Sequence, residues 1–249
     1  MKKAVILRII ASMITVLMCL AMLSSCKHSD DNNEKKPDIP LKAEFVAIDS
    51  SMRPITVVNK EYSQSGIKYK LPKVVNSGRD TEINDLIMSS VEAFVAEYPR
   101  TVSSMDYSVM YNDKGILSIV ILAYGRDIEY DRNRNIILNF NVAGACQLSF
   151  SDLFDLTDKN FIDTVTYYIN SLASHDKIIL YSDVKDLSGA RFYLTETSID
   201  IVYDLYSITS FDAGEPVFSI PYTALSKFIK PLSPIDIIIN NSVVQTPSV

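Results

Sequence analysis

Residues 105–124 read MDYSVMYNDKGILSIVILAY, and this stretch decides the fold. Met105, Tyr107, Val109 and Tyr111 alternate with polar residues, the period-two mark of a half-buried strand. Asn112-Asp-Lys-Gly115 is a turn sequence, and Ile116 to Tyr124 is a nearly continuous apolar run. Together they predict a β-hairpin.

Toward the N-terminus the period changes. Ile83, Leu86, Ile87, Val91, Phe94, Val95 and Tyr98 recur at helical spacing, with Asp80 expected as the N-cap and Pro99 as the stop. Tyr69 to Val75 precedes it as a short extended segment, closed by the turn Asn76-Ser-Gly78. The helix needs an apolar partner, and the run 116–124 is the nearest one in sequence.

Toward the C-terminus, residues 125–135 read as a charged connection, followed by a strand from Ile136 to Val142 that turns through Ala143-Gly144 into Cys146 to Phe150. Ser151-Asp152 opens a short helical turn. Asp158 begins a second amphipathic helix with Phe161, Ile162, Val165, Tyr168, Ile169 and Leu172 on one face. Residues 177–189 carry no clear pattern. Arg191 to Thr195, Ile199 to Tyr206 and Val217 to Ile220 read as strands, and Tyr222 to Ile229 as a last short helix. The expected class is α+β: antiparallel sheets built from hairpins, with two main amphipathic helices packed on them. The folded domain is expected over 41–230, with 231–249 as a Pro-punctuated tail.

The N-terminus carries a different signal. Lys2, Lys3 and Arg8 precede an almost wholly apolar run from Ile9 to Leu23. That length suits a signal peptide better than a spanning helix, which needs roughly 20 apolar residues. Leu23-Ser24-Ser25-Cys26 resembles the lipobox of bacterial lipoproteins, which implies removal of residues 1–25 and acylation of Cys26 by palmitate-type chains. Two or three chains anchor stably where one, at about 0.8 kcal/mol per buried methylene, does so only marginally. Residues 26–40 then form a lipidated, polar linker closed by Pro37 and Pro40, with a reach of roughly 20 Å. Asp30 and Asp31 resemble the export signal that sends some lipoproteins to the outer surface, or are a solvated spacer. The expected location is the bacterial cell envelope, lipid-anchored at the outer membrane.

Composition bounds the function. The chain carries a formal charge of −6, and loss of Lys2, Lys3 and Arg8 with the signal takes it to −9. With no clustered Lys/Arg, it lacks the phosphate contacts that nucleic-acid binding requires. Acidity steers cationic partners instead. Of three cysteines, Cys19 leaves with the signal and Cys26 is acylated, so Cys146 stands alone and no disulfide staples the mature domain. Cys146 is expected to be buried and inert.

Several stretches, taken in order, resemble an extracytoplasmic domain-of-unknown-function family. They are Leu71-Pro-Lys, Glu82-Ile-Asn84, Asn112-Asp-Lys-Gly-Ile-Leu-Ser118, Leu138-Asn-Phe-Asn-Val-Ala-Gly144, Leu148-Ser-Phe-Ser-Asp-Leu-Phe154, Phe192-Tyr-Leu-Thr-Glu, Asp204-Leu-Tyr206-Ser-Ile and Gly214-Glu-Pro-Val-Phe-Ser-Ile-Pro221-Tyr222. That family includes the lysozyme-sensing outer domain of a membrane anti-sigma factor and the accessory domain beside certain peptidoglycan N-deacetylase domains. The likeness spans roughly 69–229. The chain departs from it in lacking an anti-sigma segment with a spanning helix and an appended deacetylase domain. The resemblance implies a fold and an envelope setting, not an activity.

No Gly-x-Ser-x-Gly, His-Glu-x-x-His, Cys-x-x-Cys, dinucleotide or phosphate-loop motif occurs. Of two histidines, His28 lies in the linker and His175 at a helix end, where the dipole favours a cation. Asp127, Glu129 and Asp131 alternate on one side of an extended stretch, but without the glycine or distal glutamate of a calcium loop, and Arg126, Arg132 and Arg134 neutralise them. No catalytic residue, metal or cofactor is assigned. Tyr203, Tyr206 and Tyr222 are the candidate binding residues, since amphipathic rings at a sheet mouth stack on sugars or anchor proteins. If they bind, they should be partly exposed and clustered; otherwise they are core. The expected function is a non-enzymatic binding module for a peptidoglycan-related glycan or a lysozyme-like protein. A wall-glycan hydrolase with paired carboxylates and a structural partner of another envelope protein are the rivals.

Overall fold

A computed structural model describes residues 46–64, 67–98, 102–126, 131–210 and 213–240. Every described residue lies within one compact unit, Phe45–Val249. The acidic run lies outside the described residues except for Asp131, as do Cys26, His28 and the linker.

The hairpin forms as its sequence dictates. β3 (Val102–Asp113) and β4 (Ile116–Arg126) are antiparallel, joined at Lys114 and Gly115, both in the left-handed region (φ 52° and 74°). Two successive positive φ values make the tight hairpin turn that matches strand twist. A Cβ at Gly115 would also lie 2.6 Å from the Asp49 carbonyl oxygen. β5 (Asp131–Asn141) follows on the far side of β4. The charged connection expected at 125–135 is strand at both its described ends: residues 125–126 and 131–135 lie on a ladder that reaches Arg126↔Asp131, and 127–130 lie outside the described residues.

The six-stranded sheet runs in the order β1-β2-β3-β4-β5-β6, where β1 is Thr56–Gln64, β2 Ile67–Val75 and β6 only Cys146–Gln147. β1 went unanticipated. It is an edge strand with one neighbour, and its Asn59, Lys60, Glu61, Ser63 and Gln64 break any apolar alternation.

Helix α1 (Asp80–Glu97) covers one face of this sheet. Ile83, Ile87 and Val91 are buried against Leu71, Leu117, Ile119, Ile121 and Phe140, as the helical spacing anticipates. Asp80 is not its N-cap: Arg79 is, and the Asp80 carboxylate accepts instead from the N–H groups of Asn76 and Ser77 (2.8 and 2.7 Å), closing the preceding turn. A register shift between Val109 and Tyr111 separates residues that alternation alone places on one face. Met105 packs with α1, whereas Tyr111 joins the core on the opposite side.

That second core is built from α2 (Phe150–Leu153), α3 (Lys159–His175, capped by Asp158 through the Asn160 N–H at 2.8 Å), and a three-stranded sheet. The small sheet runs β7 (Ala190–Leu194), β8 (Ser198–Tyr203), β9 (Val217–Pro221). A 3-10 turn at Tyr222–Leu225 replaces the longer helix expected there. The tail is not a tail as far as Asn240. Pro234–Ile239 forms α4, with Pro234, Ile235, Ile237 and Ile238 buried, and Lys114 Nζ donates to the Ile237 and Ile238 carbonyls at its end (3.0 Å each). Among the described residues no helix is long and apolar enough to cross a membrane.

Candidate binding site

The motif asparagines act as braces. The Asn84 amide pairs with both main-chain groups of Val74, and that of Asn112 with both of Ile55 (2.7–3.0 Å). An amide carries the donor and acceptor of a peptide, so it substitutes for a neighbouring strand. The Asn141 Nδ2 holds the Val46 carbonyl (2.6 Å), where the described domain begins. These residues hold the fold together and leave the site elsewhere.

The three candidate tyrosines do not form one exposed cluster. Tyr203 is 1% and Tyr222 2% exposed, whereas Tyr206 is 56% exposed. Tyr203 lies on β8 opposite Ala190, facing the second core, and its hydroxyl donates to the Asp186 carbonyl (3.2 Å). Tyr222 donates to the Thr195 carbonyl (2.8 Å). Burial pushes the Tyr203 phenol up to about 12 and raises that of Tyr222 further. Tyr206 escapes burial because β8 ends at Tyr203 and the chain turns at Asp204-Leu-Tyr206, with Tyr206 itself at φ 63°.

A cavity of about 260 Å³ lies beside that turn, between residues 181–188 and 203–208. Its lining includes Asp183, Lys185, Asp186, Ser207 and Tyr203. Residues 181–188 lack regular secondary structure yet are tied at successive points. The Tyr181 N–H donates to the Ile208 carbonyl (2.9 Å), and the Asn170 amide takes both main-chain groups of Val184 (2.9 and 3.0 Å). Tyr203 holds Asp186, as above, and the Ser188 N–H donates to Asp186 Oδ1 (2.8 Å). That backbone bond, with the Ser188 side chain, holds the Asp186 carboxyl below its ordinary range, so it stays an anion. Three exposed apolar side chains flank this region on the same two segments: Ile179 (80%), Tyr181 (62%) and Tyr206. Leu180 pairs with Thr209, which brings the segments side by side. The sequence signal for Ile179 and Tyr181 was only their lack of periodicity.

A partly buried ion pair meets the turn after β8. Arg191 Nη2 meets Glu215 Oε1 (2.9 Å) and also contacts Asp204. Glu215 accepts the Asn135 N–H (2.8 Å) while Arg191 donates to the Asn135 carbonyl, so the pair occupies both main-chain groups of a β5 residue. Desolvation raises the Glu215 carboxyl despite Arg191 and the Asn135 N–H.

The other candidates resolve simply. Cys146 is half-buried rather than buried, and desolvation and then Asp152 push its thiol up, which keeps it protonated. His175 is exposed in the last turn of α3, its Nδ1 2.7 Å from Asp176 Oδ1. No group of three or more metal-ligating side chains comes together among the described residues.

No protein-family model matches the chain, and no curated protein matches it in sequence. Among solved structures it is similar to a DUF3298 family protein from Pseudomonas aeruginosa PAO1, with 14% identity and a TM-score of 0.54 over 74% of this chain and 97% of that one. A DUF3298 family member from Bacteroides fragilis matches with 15% identity and a TM-score of 0.48, over 73% and 94%. The fold of the Pseudomonas protein is in keeping with the α+β class expected from the sequence. At this identity the likeness is one of fold.

Proposed function

We propose that this chain is a lipid-anchored lipoprotein of the bacterial outer membrane whose α+β domain is a non-enzymatic binding module for a peptidoglycan-related glycan or a lysozyme-like protein. The observation that carries the reading is the braced pocket at 181–188 with exposed Ile179, Tyr181 and Tyr206 beside it. Exposed rings next to hydroxyls and carboxylates offer both stacking and hydrogen bonding, and a loop already ordered loses little entropy on binding.

The hydrolase reading draws on Asp183 and Asp186, which share the pocket. Glycoside hydrolysis needs one carboxyl to hold a proton near neutral pH, through a raised pKa. Asp186 is shifted the other way and is not that acid. The test uses the full chain in detergent micelles, immobilised and challenged with purified muropeptides and with lysozyme. Retention of either supports the module, and retention of neither sinks it.

A further inference from the structure

We infer that the pocket accepts the charged end of a lysine or arginine side chain presented by a basic protein, an assignment that rests on the binding-module reading above. A volume of about 260 Å³ falls just below the ~300–1,000 Å³ of small-molecule sites, so it suits one side chain better than an extended ligand. Its lining sets two carboxylates, Asp183 and Asp186, against one cation, Lys185. Hydroxyls of Ser182, Ser188 and Ser207 add acceptors for an ammonium or guanidinium. An uncharged sugar would desolvate these carboxylates without returning a counter-charge, which is costly. A basic side chain returns one.

The exposed side chains on the same two segments, of which Tyr181 lines the pocket, fit the rest of such a residue. Lysine and arginine carry apolar stems, and cations favour aromatic faces. Tyr181 and Tyr206 present rings, and Ile179 presents an aliphatic contact at 80% exposure. A large aliphatic side chain so exposed on the same two segments as two exposed rings has the composition of an anchor point in a protein interface. The chain's formal charge of −6 steers a basic partner toward it.

The test measures binding of hen egg-white lysozyme, used as a basic protein, and of the neutral disaccharide unit of peptidoglycan to the full chain in nonionic detergent. The variants are Asp183→Asn, the double Asp183→Asn/Asp186→Asn, and Asp176→Asn as a carboxylate outside the pocket lining. Asparagine keeps the acceptor that Ser188 uses, and Asp183 is exposed, so the single variant remains informative should the double fail to fold. The expected result is lysozyme affinity about tenfold weaker or more in the double variant, a smaller loss for Asp183→Asn, a reduced salt dependence, and no change for Asp176→Asn. Equal affinity for wild type and both pocket variants overturns the inference while leaving the module intact. Binding of the disaccharide but not of lysozyme does the same. Binding of neither overturns the module and the inference with it.

Discussion

Ser118 and Asn139 stand directly opposite each other across β4 and β5, both buried, with the serine hydroxyl donating to the asparagine Oδ1 at 2.7 Å. The pair serves as a ladder partner for β7. Asn139 Nδ2 donates to the Phe192 carbonyl (2.7 Å), and the Leu194 N–H donates to Ser118 Oγ (3.0 Å). β7 pairs with β8 on its other side, so side chains on the face of the large sheet close the open edge of the small one. Nearby, Arg191 and Glu215 close the edge of β5 at Asn135 in the same manner. The two sheets are joined by polar groups within an apolar core.

Removing either member of the first pair orphans a buried main-chain group. Asn139→Ala leaves the Phe192 carbonyl without its donor, and Ser118→Ala leaves the Leu194 N–H without its acceptor. Each should cost about 1–3 kcal/mol, read as a lower urea midpoint with unchanged slope. The two losses should not add in the double variant, because they share one network. Unchanged midpoints would mean that the pair does not hold β7.

The tyrosines should separate sharply. Tyr222→Ala should cost about 3–5 kcal/mol, the range for emptying a buried aromatic site. Tyr206→Ala should stay within about 0.5 kcal/mol, while weakening retention of muropeptides or lysozyme. Equal destabilisation by both would contradict their burial.

Helix α1 should be sensitive at its inner face. Ile87→Ala should cost about 2–5 kcal/mol, with no disulfide in the described domain to offset it. Leu86→Ala, at a half-buried neighbour, should cost less. A reversed order in denaturant unfolding would place the helix differently on the sheet.

Glu215 predicts a pH dependence of definite sign. Its folded-state carboxyl lies above its ordinary value of 4.5 because desolvation outweighs Arg191 and the Asn135 N–H. The folded state therefore binds that proton more tightly than the unfolded chain. Its contribution is fully present below about pH 4.5 and is lost as pH rises through the folded value. Surface carboxylates held low, such as Asp80 and Asp155, act in the opposite sense at lower pH. Comparison with Glu215→Gln isolates the effect. The stability of wild type relative to this variant should fall as pH rises above 4.5, in urea midpoints taken across pH. A difference that grows with pH would reverse the assignment.

The anchor has its own test. Cys26→Ser should leave unprocessed precursor without acyl label. A variant cleaved and membrane-bound as before would end the lipoprotein reading.

The local pattern was legible where one element's own residues carry it. The change of period between Ile83–Tyr98 and residues 105–111 predicted a helix followed by a strand. Gly115 marked the turn, and Asp158 marked the start of α3. Other signals were present but were outweighed. Ser233 and Pro234 form a helix start, the Asp236 N–H donating to Ser233 Oγ at 3.3 Å, yet prolines so near the C-terminus read as punctuation of a tail.

Spacing and composition alone were enough to set out the hairpin and the two amphipathic helices, because each is a statement about neighbours along the chain. Only the tertiary structure decided which tyrosine faces water. Tyr203 and Tyr206 are three residues apart in one run, but the turn at φ 63° and the packing of α3 and β9 bury the first and expose the second. The pocket was equally hidden from sequence. Its loop has no periodicity of its own, and it is held by Asn170, Tyr203 and Ile208, residues of three other segments that folding alone brings to it.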